Sequence, residues 1–143
     1  MNEKKKAGLG AVFTILTIIV SAAGLVLYMQ NCKTNYFMNM GVNQTVVINL
    51  AVVIVAEALF LLLSLKAGAK PYWDILPVVA GICSAVAAIQ FIGSRIAGAA
   101  SIMTFENNAE NMADLQNAIV AMAVCVAAML CVIVSSFFRV VKE

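Results

Sequence analysis

At 143 residues, 64% of them hydrophobic and 11% charged, the chain departs from soluble domains, in which about 25% of residues are charged. A mean hydropathy of +1.01 puts much of its core in contact with a bilayer. Its formal charge of +2 is too small to point to a nucleic-acid partner.

In chain order, four stretches reach the roughly 20 apolar residues that a spanning helix needs: 7–29, 46–65, 75–93 and 117–138. The first follows MNEKKK, a charged start like that of a signal peptide, but its apolar run is about twice the length of a signal's apolar region. It therefore reads as a retained span. The third runs on as SRIAGAASIMTF, so its helix is expected to continue to about residue 103. None of the four has the short, alternating pattern of a barrel strand. The expected fold is an all-α membrane protein, a single antiparallel four-helix transmembrane bundle.

Lys4, Lys5, Lys6, Lys66, Lys70, Arg139 and Lys142, seven of the nine basic residues, fall on one side of such a bundle. Only Lys33 and Arg95 fall on the other. Positive charge stays cytoplasmic, so both termini and the short link KAGAKPYWD are expected inside, in a multi-pass protein of the plasma membrane. Tyr72 and Trp73 anchor the third span at the inner interface, and Phe137 and Phe138 do the same for the fourth.

Helices in a bilayer associate through close packing and polar contacts, because lipid tails are as apolar as leucine. The first span carries Gly10, Thr14, Thr17, Ser21, Gly24 and Tyr28 on one stripe. The fourth carries Ala118, Ala121, Cys125, Ala128, Val132 and Ser135, and the third offers Gly81, Ala85, Ala88, Ser94 and Gly98. Such spacing suits bundle contacts. A pore lined by the hydroxyls is the functional alternative.

The second span places Asn49, Glu57 and Ser64 on one broad face. At 1.5 Å per residue Glu57 lies roughly 12 Å from the inner boundary and roughly 16 Å from the outer one. An intramembrane ionisable residue marks a functional site by default. Three readings stand open for it. It is a neutral acid bound to a hydroxyl of Thr14, Thr17 or Ser84, a partner for a basic residue of another membrane protein, or a proton- or cation-coupling site. Arg95 belongs at the outer interface, with Gln90, Asn49 and Gln44 as expected neighbours, too far from Glu57 for an ion pair.

The first outer loop, 30–45, is polar with scattered Tyr36, Phe37, Met38 and Met40. The second, TFENNAENMADLQN, carries Glu106, Glu110 and Asp114 without a basic residue. Asn107 or Asn108 suits a helix N-cap, with the acids favourably placed after it. These acids are either a solvated helix start or a patch for a cation or a partner.

The chain has no histidine, and its four cysteines show no C-x-x-C spacing. No glycine-rich phosphate loop or nucleophile motif appears. No metal or other cofactor is expected. Cys32 reads as an outer-side thiol without a mate, and Cys83, Cys125 and Cys131 as packing residues.

The segment SRIAGAASIMTFENNAENMADLQNAIVAM through SSFFRVVKE resembles small four-span proteins of Gram-positive anaerobic bacteria. It covers mainly the third and fourth spans and the acidic loop. The resemblance implies an accessory role beside a membrane-anchored family 3 glycoside hydrolase and carries over no catalytic residue. The expected function is therefore a non-enzymatic accessory or scaffold protein in the bilayer, docking another membrane protein or itself. The alternative is a small proton- or cation-coupled transporter or channel that uses Glu57, and a membrane enzyme comes third.

Overall fold

A computed structural model describes residues 6–68, 70–138 and 140–142, without the side chains of Lys6 and Lys142. Lys4, Lys5 and Arg139, and the side chains of Lys6 and Lys142, which entered the charge bias, lie outside what is described.

Four helices carry the fold: α1 (Leu9–Asn31), α2 (Gln44–Ala67), α3 (Ile75–Thr104) and α4 (Ala109–Ser135). All four are long and apolar enough to cross a membrane. The protein is an all-α multi-pass membrane bundle. Each helix packs on its neighbour in sequence, and α1 against α4 closes the ring. At one end lie both termini and the 68–74 link, here called the terminal end. At the other, the loop end, lie the 32–43 and 105–108 links.

α1 and α4 pack through the expected stripes: Gly10, Thr14, Thr17, Ser21, Gly24 and Tyr28 are buried, as are Ala118, Ala121, Cys125, Ala128, Val132 and Ser135. Small residues let the backbones approach. A Cβ built on Gly24 would already stand 3.4 Å from the sulfur of Cys125. On α3 the buried face is Ala80, Ser84, Ala87, Ala88, Phe91, Arg95, Gly98 and Ile102. The expected stripe is thus one position out of phase in its first half, where Gly81 and Ala85 are only half-buried. The large side chains of Phe91 and Arg95 set the rotation of this helix.

The α4 helix begins at Ala109, eight residues before the apolar run, so Glu110 and Asp114 are helical rather than in a loop. Asn108 is its N-cap, the side-chain oxygen accepting from the Asn111 N–H at 2.8 Å. It ends at Ser135; Phe137 is 82% exposed and Phe138 stacks on Phe13 with ring centroids 4.8 Å apart. Beyond it a two-residue antiparallel ladder pairs Lys6 with Lys142 and Ala7 with Val141, tying the chain ends together. Between α2 and α3, Gly68 adopts φ +85°, a left-handed conformation open to glycine, and closes the helix with its N–H on the Ser64 carbonyl.

Candidate functional site

Among the described residues two charged side chains are buried in the bundle, and their surroundings are opposite. Arg95, on α3 near the loop end, is 1% exposed. Its Nε donates to Asn31 Oδ1 at 2.7 Å, and Asn31 in turn donates to Asn117 Oδ1 at 3.1 Å. One terminal nitrogen meets Cys32 Sγ at 3.3 Å, and the other meets Ser94 Oγ at 3.4 Å and Met40 Sδ at 3.9 Å. The guanidinium carbon stands 5.0 Å from the Phe37 ring, 5.5 Å from Phe91 and 5.8 Å from Tyr28. Aromatic faces attract a desolvated cation. The group is thus held by amide oxygen, sulfur and rings, and none of its hydrogen-bond partners is a carboxylate.

The 32–43 loop forms the roof of this cage. Phe37 is fully buried and packs with Ile102, Leu115 and Ala118. Three carboxylates fasten the loop from above. The Tyr36 backbone N–H donates to Asp114 Oδ2 at 3.0 Å, the Tyr36 hydroxyl to Glu106 Oε2 at 2.5 Å, and Asn35 Nδ2 to Glu110 Oε1 at 2.6 Å. Each of Glu106, Glu110 and Asp114 therefore holds one point of the 32–43 loop. The Glu106 carboxylate, by accepting from the Tyr36 phenol, pushes that phenol above its ordinary value of 10.0. Beneath, Gly98 makes room: a Cβ there would stand 3.0 Å from both Met40 Cε and Phe37 Cε1. The Asn43 N–H donates to the Tyr28 hydroxyl at 2.7 Å, pinning the far end of the loop.

The expected neighbours of Arg95 are elsewhere. Gln90 and Gln44 are exposed, and half-buried Asn49 donates to the Thr45 carbonyl of its own helix at 2.7 Å. Cys32, expected outside, is 6% exposed beneath the loop. Depth along the spans marked Gln90, Asn49 and Gln44, whereas the rotation of α3 aims Arg95 at the end of α1. Asn31 and Cys32 went unrecognised because they follow the apolar run and look like loop residues.

Glu57, on α2, is also 1% exposed. Val46, which packs with Phe91 one turn from Arg95, lies eleven residues before it, roughly 16 Å along the helix. Neither carboxyl oxygen has a hydrogen-bond partner among the described residues. The hydroxyls expected to serve it are engaged within their own helices: Thr14 donates to the Gly10 carbonyl at 2.8 Å, Thr17 to Phe13 at 2.8 Å and Ser84 to Gly81 at 2.9 Å. This back-bonding to the preceding turn is a local alternative that Ser and Thr side chains take readily. Ser21, fully buried on the α1 stripe, is a second group without a partner. Ser21 and Glu57 each sit within roughly 3 Å of the midpoint of their helix. Ser64 is buried two turns beyond Glu57, and Asn49 joins neither. The middle of the bundle thus holds an acid and a hydroxyl with unmet hydrogen-bonding capacity.

No group of three or more His, Cys, Asp or Glu residues suited to a metal occurs among the described residues. No known protein family, curated protein or solved structure matches the chain.

Proposed function

We propose that this four-span bundle is a small proton-linked membrane carrier or channel whose working residue is Glu57. The observation that carries the proposal is the pair of carboxyl oxygens, enclosed by the protein's own helices and bonded to nothing. An unpaired polar group in a dry interior is costly, and a carboxyl relieves that cost by holding a proton. Burial by its own bundle also keeps Glu57 from a basic residue on a neighbouring helix, which disfavours it as a docking charge. At this level the carboxyl oxygens and the Ser21 hydroxyl are the unpartnered atoms among the described residues, so a proton, which needs one oxygen, suits the site better than a metal cation, which needs several. In this reading both termini face the cytoplasm across the plasma membrane, which the distribution of Lys and Arg supports.

Purified protein in liposomes should then carry a pH-driven proton flux that Glu57→Gln abolishes. Tight liposomes with wild-type protein present would sink the proposal. For orientation, a cysteine at exposed Asn39 in a cysteine-free background should react with a membrane-impermeant reagent on intact cells. One at exposed Lys70 should not.

A second reading, an accessory subunit docking another membrane protein, is favoured by a different feature. Phe105 is 89% exposed at the α3–α4 corner, near Met103 at 65%. Aromatic residues and methionine are enriched in interface cores. The partner implied by the sequence resemblance is an outward-facing, membrane-anchored glycoside hydrolase. Recovery of such a partner with the wild type, lost in Phe105→Ser, would favour this reading.

A further inference from the structure

We infer that the cleft at the terminal end of the bundle is a seat for one phospholipid with a zwitterionic amine headgroup. The cleft has a volume of about 750 Å³, in the range of small-molecule sites, which run from roughly 300 to 1,000 Å³. It lies where the last turns of α2 and α4 diverge from the first turns of α3. Its lining combines the apolar Phe60, Gly81 and Val132 with the serines Ser64, Ser135 and Ser136. Its mouth carries Lys70 and Asp74, and both are exposed.

Three features select a lipid. Val78, 58% exposed, and Ile133, 46% exposed, line the cleft and also face outward from the bundle, so it opens sideways to the acyl layer. Secondly, the mouth lies at the membrane interface. Lys70 stands 5.6 Å from the Tyr72 ring, and Tyr72 and Trp73 form the aromatic anchor there. An acyl chain entering between Val78 and Ile133 therefore brings its headgroup to the mouth. Thirdly, among the described residues the mouth offers one cation, Lys70, and one anion, Asp74. Lys70 complements a phosphate and Asp74 complements an ammonium, a pairing that an anionic headgroup would only half satisfy. The floor has room for a chain, since a Cβ on Gly81 would find only Val132 Cγ1 within 4 Å, at 3.7 Å.

The inference is independent of the role of Glu57, because the cleft begins at Phe60, one turn beyond it.

The full-length protein is reconstituted in vesicles of phosphatidylethanolamine and phosphatidylglycerol in equal amounts, extracted in mild detergent and weighed intact by native mass spectrometry. One phosphatidylethanolamine per chain should be retained, several-fold over phosphatidylglycerol. Gly81→Phe fills the floor and should reduce retention several-fold, while circular dichroism shows the helices intact. Asp74→Asn leaves the floor alone and should erase the preference between the two lipids. A bare chain, equal retention of both lipids by the wild type, retention indifferent to Gly81→Phe, or a lipid-free dimer closed over the cleft would each overturn the inference.

Discussion

Arg95 and Glu57 are equally buried, yet the protein treats them in opposite ways. Arg95 has hydrogen-bond partners at all three guanidinium nitrogens and aromatic rings around the group. Glu57 has none. A cation so completely held is a structural fixture, around which one end of the molecule is assembled. A carboxyl so completely unheld is a cost to the fold rather than a support. The loop end is assembled around a satisfied cation, and the midplane encloses an acid without a partner among the described residues.

That contrast can be broken most directly by stability. Arg95→Ala strips the roof loop of its central partner and leaves Asn31 Oδ1 without its donor. A loss of about 3 kcal/mol is expected, in the range of large-to-small core substitutions. Unfolding in mixed micelles measures it. A loss below about 1 kcal/mol would mean that the rings and the carboxylate clamp hold the loop without the arginine.

Glu57→Leu should act in the opposite direction. Replacing an unpartnered buried polar group by an apolar one of similar size removes its desolvation cost, and mutational data put that at about 1–3 kcal/mol. The variant should be the more stable and, under the proposed function, inactive. Destabilisation instead would reveal a partner for the carboxyl, and the distinction between the two sites would vanish.

Gly98→Val sharpens the comparison at the roof. The new side chain must displace Met40 and Phe37, and overpacking of this kind costs about 1–3 kcal/mol. The rate at which a thiol reagent reaches Cys32 should rise with the lost stability. Gly93→Val, where a Cβ would meet nothing within 4 Å, is the matched control and should leave that rate unchanged.

Much of this was legible in the sequence. The stripes of α1 and α4 could be read because small residues at helical spacing in a span report close packing directly. The α3 stripe could not, because its rotation follows Phe91 and Arg95, whose anchorage lies on α1 and in the 32–43 loop. Burial of Glu57 was legible from its depth and from the polar face it shares with Ser64. Its lack of a partner was not, since whether Thr14 and Thr17 turn to a neighbour or to their own helix depends on side-chain rotamers. The helix start in 104–117 was legible from its asparagine cap and the acids after it, but not that those acids hold the opposite loop.

The smallest effect concerns that clamp, and its direction follows from the Tyr36 phenol. Its hydrogen bond to the Glu106 carboxylate favours the protonated form, so the folded value lies above 10.0 while the unfolded chain keeps the ordinary one. A group raised in this way stabilises the folded loop fully below about pH 10, and that contribution disappears as pH rises through the folded value. Past that point phenolate and carboxylate repel each other across the contact. The 32–43 loop should therefore loosen as pH rises above 10 in the wild type. Tyr36→Phe, which lacks the bond at every pH, should show a slightly looser loop at pH 9 and no further change. Alkylation of Cys32 reads the loop in both proteins, and the ratio of their rates cancels the ionisation of the thiol itself. A ratio that stays constant across the range would show that Asp114 and Glu110 fasten the loop without help from the phenol.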